Sequence, residues 1–308
     1  MHVIQLVDSA LGPVLSEADV PQPQPGAGEV LIRVCAAGVT AAELDWYPTR
    51  HTKSGEVRSR AIPGHEFSGV IAAIGDESGG FRVGQEVFGM NDWFADGAMA
   101  EYCVAPITSI APKPSRITHI EAASVPIAAL TSWQGLFDRA GLKAGEHLLV
   151  QGGAGGVGVF AIQLAKLHGA RVTATASARN VDFVASLGAD RVIDYTREPF
   201  EKSLEEVDVV FDTVGGETLD RSWRVLKPHG RMVTIAATEE AARDGRVKDV
   251  FFIVEPNQKQ LIEIGEMIAD GRLRTVIDTV VPLAQAPRAF AGIVARQGRG
   301  KVVVEITS

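Results

Sequence analysis

The chain has little cysteine and no long apolar run. Its two cysteines, Cys35 and Cys103, are too few for a disulfide framework or a four-cysteine structural zinc site. No uncharged apolar stretch approaches the ~20 residues that cross a bilayer. The first residues show no basic segment followed by an apolar block, so we expect no secretory signal. These absences predict a cytoplasmic protein with no membrane partner, in which both cysteines are small core residues.

The chain also lacks an excess of positive charge. Thirty Lys and Arg stand against 38 Asp and Glu, which gives a net charge of −8 and leaves no electrostatic footprint for a nucleic acid partner. With 46% hydrophobic and 22% charged residues, the composition is that of a globular protein. A length of 308 residues corresponds to about two domains, at roughly 150 residues each.

The sequence texture changes twice along the chain. The first hundred or so residues contain short β-branched runs with glycine-rich turns, such as 29–34, 69–75 and 83–89, which predict a barrel-like β domain. From residue 147, strands alternate with helical segments of ten to fifteen residues, which predicts βαβ units and a parallel sheet. The last 37 or so residues are too few for a domain of their own and therefore return to the first one.

A glycine-rich loop follows the first strand of the alternating region. Gly153, Gly155 and Gly158 form a G-x-G-x-x-G pattern between the predicted strand 147–151 and a helix from about residue 157. These glycines permit a tight turn, a close approach to a pyrophosphate and close packing of helix on strand. A glycine-rich turn alone is weak evidence, but the further βα units agree with it. We therefore expect a dinucleotide on this loop.

The end of the second strand indicates which dinucleotide is bound. An NAD site usually carries Asp or Glu there, to accept a hydrogen bond from the ribose 2′-hydroxyl. This chain has Ser177 and Arg179 instead, and Asp182 belongs to the first turn of the next predicted helix. A hydroxyl and a guanidinium suit a 2′-phosphate, so the pattern favours NADPH. The alternative is that Arg179 is a solvated residue at a helix start.

Motifs along nearly the whole chain, in order, resemble the medium-chain dehydrogenase/reductase superfamily. They are Gly38-Val39-Thr40, Pro63-Gly64-His65-Glu66-Phe67-Ser68-Gly69-Val70, Val83-Gly84-Gln85-Glu86-Val87, Gly152-Gly153-Ala154-Gly155-Gly156-Val157-Gly158, Leu187-Gly188-Ala189-Asp190, Val192-Ile193-Asp194-Tyr195, Phe211-Asp212-Thr213-Val214-Gly215-Gly216 and Gly300-Lys301-Val302-Val303-Val304. The resemblance implies an α/β fold with a doubly wound parallel Rossmann sheet inserted in a GroES-like β-rich catalytic domain. The expected boundaries are 1–118 and 272–308 for the GroES-like domain and 119–271 for the NADP-binding domain, with the active site in the cleft between them.

The resemblance also separates this chain from zinc-using members. Those members carry a cysteine where this chain has Thr40, followed by a His-Glu pair and a further ligand after the domain crossover. His65 and Glu66 are kept, but a catalytic zinc needs three protein ligands. We therefore predict no metal site, and we expect His65 to be a structural histidine bonded to nearby backbone, with a polar role facing the substrate as the alternative.

Zinc-independent members with such a loop resemble quinone oxidoreductases and enone reductases, which transfer hydride from NADPH to an electrophile. The resemblance implies a small-molecule electrophilic substrate and a homodimer, paired through an edge strand at 249–254. The implied cofactor contacts are Thr131, Gly153, Ala154, Gly155, Gly156, Val157, Gly158, Ser177, Arg179, Tyr195, Val214, Ala236, Ala237, Phe252, Val254 and Lys301.

Two residues are catalytic candidates. Thr40 stands where many quinone oxidoreductases have asparagine, so the quinone preference stays open against an enone preference. Tyr47 is either the proton donor to a substrate enolate or an aromatic residue that lines the cleft. Two other functions remain: a zinc-type alcohol dehydrogenase, and a sensor that binds NADPH without turning it over.

Overall fold

The chain divides into two compact units. The computed structural model describes residues 1–9, 12–236 and 245–306. The β-rich unit comprises Met1–Ile127, Pro256–Gln297 and Lys301–Ser308, and the α/β unit comprises Ala128–Glu255 and Gly298–Gly300.

These units differ from the predicted domains at each change of unit. Residues 119–127 and 256–271 belong to the β-rich unit. The second of these segments is tied to it by hydrogen bonds: the Gln258 side chain donates to the carbonyls of Ile107 and Ile110, and Arg116 donates to the carbonyl of Ala269. The short segment 298–300 joins the α/β unit, where the Gly300 amide bonds the Ala154 carbonyl at 2.8 Å.

Strands and helices are distributed along the described residues as follows. The strands are β1 His2–Ser9, β2 Gly12–Asp19, β3 Glu29–Gly38, β4 Glu66–Ile74, β5 Glu86–Met90, β6 Tyr102–Pro106, β7 Ile110–Pro112, β8 His147–Gln151, β9 Arg171–Ala176, β10 Arg191–Asp194, β11 Val207–Asp212, β12 Leu226–Thr234, β13 Ile277–Pro282 and β14 Lys301–Glu305. The helices are α1 Tyr47–Arg50, α2 His119–Ala123, α3 Pro126–Trp133, α4 Gly156–Leu167, α5 Val181–Ser186, α6 Phe200–Ser203, α7 Gly216–Ser222, α8 Gly245–Lys248, α9 Gln258–Ala269 and α10 Ala286–Phe290.

The α/β unit contains the expected parallel sheet. Its strand order is β10-β9-β8-β11-β12, and each neighbouring pair is parallel. The order reverses direction between β8 and β11, which is where dinucleotides bind in doubly wound folds. All five residues of β8 are buried, as expected for a strand that is covered on both faces of its sheet. The predicted α/β fold with a Rossmann-type sheet is confirmed.

The sheet of the β-rich unit brings distant parts of the chain together. β14 pairs antiparallel with β3, with Val303 opposite Gly38 and Val304 opposite Ala37. The pairing continues past the end of β3, where the Val39 amide donates to the carbonyl of Val302 at 3.0 Å. The next pair in this register is Thr40 and Lys301, so strand pairing alone places these two residues side by side.

Several predicted elements differ from the structure. The segment 249–254 does not form the predicted edge strand: it makes one bridge, between Phe251 and Thr234, and then continues as irregular chain. The antiparallel hairpin of β1 and β2 was missed. Cys35 and Cys103 are both buried, as predicted, and burial raises the pKa of the Cys103 thiol to about 12.

His147 makes the stability of the α/β unit depend on pH. Burial lowers the pKa of its imidazole, and the charge of Arg171 adds to this lowering. The unfolded chain therefore binds this proton at a higher pH than the folded chain does. Stability is fully present above the ordinary histidine pKa of about 6.5 and falls as the pH drops below it.

We predict that His147→Gln reduces this loss, because glutamine can keep a hydrogen bond to Thr173 without taking up a proton. Urea unfolding at about pH 7.5 and at about pH 5 measures the free energy of unfolding in both conditions. The wild type and the exposed-histidine control His168→Gln should lose more stability than His147→Gln. If all three proteins lost the same free energy of unfolding between the two pH values, the assignment of this pH dependence to His147 would be contradicted.

Candidate active site

The glycine loop connects β8 to α4 within the α/β unit. Gly152 has a φ of +76°, which favours glycine, and Gly155 is the N-cap of the twelve-residue helix α4. The amides of the first turn of α4 have no intrahelical acceptor and carry the positive end of the helix dipole. This is the geometry that binds phosphate groups.

The glycines of the loop have different structural roles. A Cβ on Gly158 would collide with the carbonyl oxygen of Gly152, so the fold itself requires glycine there. A Cβ on Gly155 would meet only that oxygen, at an ordinary 3.4 Å, and Gly155 has a φ of −72°. Gly155 is exposed at the loop tip. The protein's own atoms therefore do not require glycine at this position, and we expect the space beside Gly155 to admit a group that approaches from outside.

A buried polar network fixes the base of the loop. The Thr175 hydroxyl donates to the side chain of Gln151 at 2.7 Å and accepts from the Gly152 amide at 3.1 Å. The Gln151 side chain in turn donates to Ser222 at 3.0 Å. These bonds hold the loop against β9 through the protein's own groups. Sequence analysis missed this network, because nothing in the sequence pairs Gln151 with residues that follow it by 24 and 71 positions.

The predicted 2′-phosphate residues lie at the carboxyl ends of β9 and β10. Asp194 is paired with Ala176, and the Tyr195 amide donates to the carbonyl of Ala176, so Tyr195 follows at the level of Ser177. Arg179 is exposed and Ser177 is half-buried. Asp182 lies in the first turn of α5, as predicted.

A second arginine joins this corner and was missed in the sequence. Arg299 donates to the Asn180 side chain at 2.9 Å and to the Arg179 carbonyl at 3.1 Å, and its guanidinium lies 4.8 Å from the centre of the Phe183 ring. These contacts bring two guanidinium-bearing residues to the end of β9. The sequence signal was the basic run Arg296-x-x-Arg299 before Lys301, but the return of this segment to the α/β unit could not be foreseen.

Other predicted contacts lie at the ends of β11 and β12. Asp212 is buried and accepts from the Thr234 hydroxyl and from the amides of Val214 and Gly215. Burial raises the pKa of its carboxyl, and these hydrogen bonds oppose the rise. Val214 is exposed, and a Cβ on Gly215 would collide with the Ala236 carbonyl, so these two strand ends lie close together. Ala237 lies outside the described residues.

The remaining α/β contacts predicted from the sequence are buried. Thr131 lies in α3 and is 4% exposed. Phe252 and Val254 follow the bridge to β12, and the Arg139 guanidinium lies 5.6 Å from the centre of the Phe252 ring. For these three residues a cofactor contact stays a prediction.

The β-rich unit contains a buried ion pair at the strand ends. The Lys301 ammonium pairs with the carboxylate of Glu66 and donates to the Thr40 hydroxyl at 2.9 Å. The other Glu66 oxygen accepts the Ile127 amide at 2.9 Å. Burial raises the pKa of the Glu66 carboxyl, and the Lys301 charge and these hydrogen bonds oppose the rise. Gly38 leaves the space that the carboxylate fills, because a Cβ there would collide with it.

His65 forms a second buried pair, with a partner that sequence analysis missed. Its Nδ1 lies 3.1 Å from a Glu43 carboxylate oxygen, and the amides of Gly64 and His65 donate to the same carboxylate. The expectation that the His65 ring bonds to backbone is therefore wrong. The His65 Nε2 atom is buried without a hydrogen-bond partner, and its ring packs at 5.3 Å from that of Trp93.

The donor set does not fit a metal ion. Within the described ranges, no group of three or more His, Cys, Asp and Glu side chains could hold one. Thr40 offers a neutral hydroxyl, and the Glu66 carboxylate is already paired with an ammonium. A cation added here would compete with the Lys301 charge, so the residues present do not form a zinc site.

Tyr47 lies at the surface of the β-rich unit. It begins α1, is 56% exposed and stacks on His51 with ring centres 4.2 Å apart. Its hydroxyl bonds no described residue. Trp46 contacts Trp93 edge to face at 5.1 Å. The two catalytic candidates thus differ: Thr40 is held by a charged partner and Tyr47 is not.

We predict that Gly155→Ala and Gly158→Ala separate binding from folding. Gly155→Ala should leave the melting temperature within a few degrees of the wild type and reduce NADPH affinity by about tenfold or more, because its methyl group takes the place of an approaching phosphate. Gly158→Ala should lower both quantities. Gly245→Ala is the matched control, since its Cβ meets open space. Unchanged NADPH fluorescence titrations for Gly155→Ala would contradict this account of the loop.

Comparisons with known proteins agree with this architecture. Residues 26–115 match the family model "Alcohol dehydrogenase GroES-like domain" and residues 187–304 match "Zinc-binding dehydrogenase". In the described ranges, no helix has the length and apolar character that a membrane crossing requires.

Relatives and a solved structure match over most of the chain. The quinone-oxidoreductase QR1 of Triphysaria versicolor is 33% identical over 94% of both chains. An NADPH-dependent alkenal/one oxidoreductase of Arabidopsis thaliana is 33% identical over 94% of this chain and 75% of its own. The quinone oxidoreductase structure from Coxiella burnetii superposes with a TM-score of 0.87, at 30% identity over 99% of both chains. The chain therefore belongs to the medium-chain dehydrogenase/reductase superfamily and is an oxidoreductase. Membership of this family implies a nicotinamide cofactor.

Proposed function

We propose that the chain is an NADPH-dependent reductase that transfers hydride to a quinone or an α,β-unsaturated carbonyl without a metal. The observation that carries the proposal is the Lys301–Glu66 pair: in the β-rich unit, the buried Glu66 carboxylate is neutralised by the Lys301 ammonium and not by a metal cation. Relatives named as quinone and alkenal/one oxidoreductases support the same substrate class. A quinone or enone is already electrophilic and needs orientation and exclusion of water rather than a Lewis acid.

The α/β unit supplies the residues that hold the cofactor. The amides at the start of α4 take the pyrophosphate, and Ser177, Arg179, Tyr195 and Arg299 form the corner that suits a 2′-phosphate. The loop residues Gly153, Ala154, Gly155, Gly156, Val157 and Gly158 contact the pyrophosphate. The proposed lining of the ribose and nicotinamide sites consists of Val214, Ala236, Thr131, Phe252 and Val254. When bound, NADPH supplies the hydride.

The first experiment follows the loss of reduced-nicotinamide absorbance with a panel of quinones, enones and aldehydes. NADPH and NADH are compared, with and without a chelator. The proposal expects turnover of a quinone or enone with NADPH that is insensitive to the chelator. Turnover of aldehydes alone that is lost with the chelator would favour a zinc-type alcohol dehydrogenase. Tight NADPH binding without any turnover would favour a sensor.

We predict that Arg179→Ala combined with Arg299→Ala raises the KM for NADPH on the order of a hundredfold or more, because each charge-assisted hydrogen bond to phosphate contributes about 1.5–3 kcal/mol and two are removed. The KM for NADH should not change, since NADH lacks the 2′-phosphate. The exposed Arg272→Ala is the control. Equal losses with both cofactors would show that these arginines do not select the 2′-phosphate.

We also propose a homodimer in the cytoplasm. In the α/β unit, Ile253 is 60% exposed next to the bridge between Phe251 and β12, so its side chain is available for a contact at this edge of the sheet. Analytical ultracentrifugation of the wild type and of Ile253→Lys tests this: the proposal expects a dimer that dissociates in the variant. A wild-type monomer at micromolar concentration would contradict it.

A further inference from the structure

The hydrogen bonds of Thr40 leave its hydroxyl proton available. Its Oγ1 accepts from the Lys301 ammonium, which can only donate. Thr40 is the N-cap of the turn Ala41–Asp45, a position where a threonine hydroxyl usually caps a free amide, yet its side chain makes no capping bond. No described residue accepts the Thr40 proton, and the residue is half-buried. The Thr40 hydroxyl can therefore donate a hydrogen bond to a group from outside the described residues.

The ammonium behind Thr40 is held in place. Lys301 is 9% exposed and Glu66 is fully buried, so both groups have lost most of their hydration. The Ile127 amide and the space beside Gly38 fix the carboxylate, and the carboxylate fixes the ammonium. A hydroxyl that accepts a hydrogen bond from a cation becomes a stronger donor itself.

A second buried lysine in the same unit shows a different arrangement. Lys113 pairs with Glu86 and donates to the carbonyls of Pro114 and Ile117. Backbone carbonyls only accept, so this set of bonds is closed. Lys301 instead ends on a hydroxyl, which can pass a proton onward. The Lys113–Glu86 pair is thus purely structural, whereas the Lys301–Glu66 pair contacts a hydroxyl that can donate a proton.

We propose that Thr40 donates its proton to the carbonyl oxygen of the substrate and that Lys301 is the positioning residue and proton reserve behind it. The inference rests on the proposed reductase function and assigns Lys301 a role other than the cofactor contact expected from the sequence. It also names the substrate feature that the β-rich unit recognises: a carbonyl oxygen that gains negative charge during reduction.

The proton and electron balance of the step is complete. As the β-carbon of an enone accepts hydride from NADPH, the C=C electron pair moves toward the carbonyl, and negative charge collects on its oxygen. That oxygen takes the Thr40 proton, Lys301 returns a proton to Thr40, and the neutral amine recovers one from solvent. The resulting enol then becomes the ketone in water.

Three variants and two control variants test the proposal. Thr40→Val removes the hydroxyl and Thr40→Ser retains it. Lys301→Met combined with Glu66→Gln removes both charges together, so that no unpaired buried charge destabilises the fold. The controls are Thr279→Val, which removes a hydroxyl bonded to the Ala295 carbonyl, and Lys113→Met.

Two readouts separate the relay from a cofactor contact. Enone reduction gives kcat, and fluorescence titration gives the NADPH affinity. We expect Thr40→Val to lower kcat on the order of a hundredfold, as for loss of one oxyanion donor, and Thr40→Ser to recover most of it. The double variant should lower kcat about tenfold or more, with NADPH affinity within about twofold of the wild type. A large loss of NADPH affinity in the double variant, with kcat intact, would return Lys301 to a cofactor role and overturn the relay.

Binding of 4-nitrophenol in the presence of NADP⁺ tests the relay without turnover, because its phenolate oxygen resembles the enolate. The wild type should stabilise the coloured phenolate, and Thr40→Val and the double variant should lose this effect while both controls keep it. Equal phenolate binding by the wild type and Thr40→Val would overturn the relay. A wild type that reduces no quinone or enone but stabilises the phenolate through Thr40 would refute the reductase function and leave the donor assignment intact.

Discussion

The buried ion pair between Lys301 and Glu66 determines what the β-rich unit can do. A carboxylate without water must be paired, and here the pairing group is an ammonium that strand register delivers from the far end of the chain. Because Lys301 neutralises Glu66, the site has no need of a metal cation for charge balance. Because Lys301 also contacts Thr40, the same pair polarises the half-buried Thr40 hydroxyl. Structure and chemistry thus depend on a single contact between two strand ends.

The α/β unit is under a different constraint: its backbone amides at the start of α4 have to bind an anion. Its loop is held by Thr175 and Gln151 beneath it and by Gly158, where a side chain would collide with the loop's own carbonyl. Gly155 is free of such a constraint and is therefore the clearest mark of an external partner. At the neighbouring strand end, Arg299 adds a second guanidinium to the corner that Arg179 occupies. Backbone amides and arginines together suit the phosphate groups of a dinucleotide.

Much of the fold could be predicted from the sequence, and the reason is local. Strand β8, the glycine loop and helix α4 follow one another within about twenty residues, and their apolar periodicity and glycine spacing predict both their type and their order. The contacts of Lys301, by contrast, depend on the register of β14 on β3, which joins residues 261 positions apart. Glu43 and Arg299 were missed for the same reason, since each acts on a segment that only the folded chain brings near. The predicted strand at 249–254 was wrong because an apolar run alone does not supply a partner strand beyond one bridge.

In the proposed reaction, hydride moves from a reduced dinucleotide to a quinone or to the β-carbon of an activated alkene. The most direct test uses NADPH that carries deuterium on the transferable position of the nicotinamide, with an enone as substrate, and locates the deuterium in the product by NMR. The account predicts deuterium on the β-carbon of a saturated ketone and a solvent-derived proton on the α-carbon. Deuterium on the carbonyl carbon of an alcohol would contradict it and identify the chain as a carbonyl reductase instead.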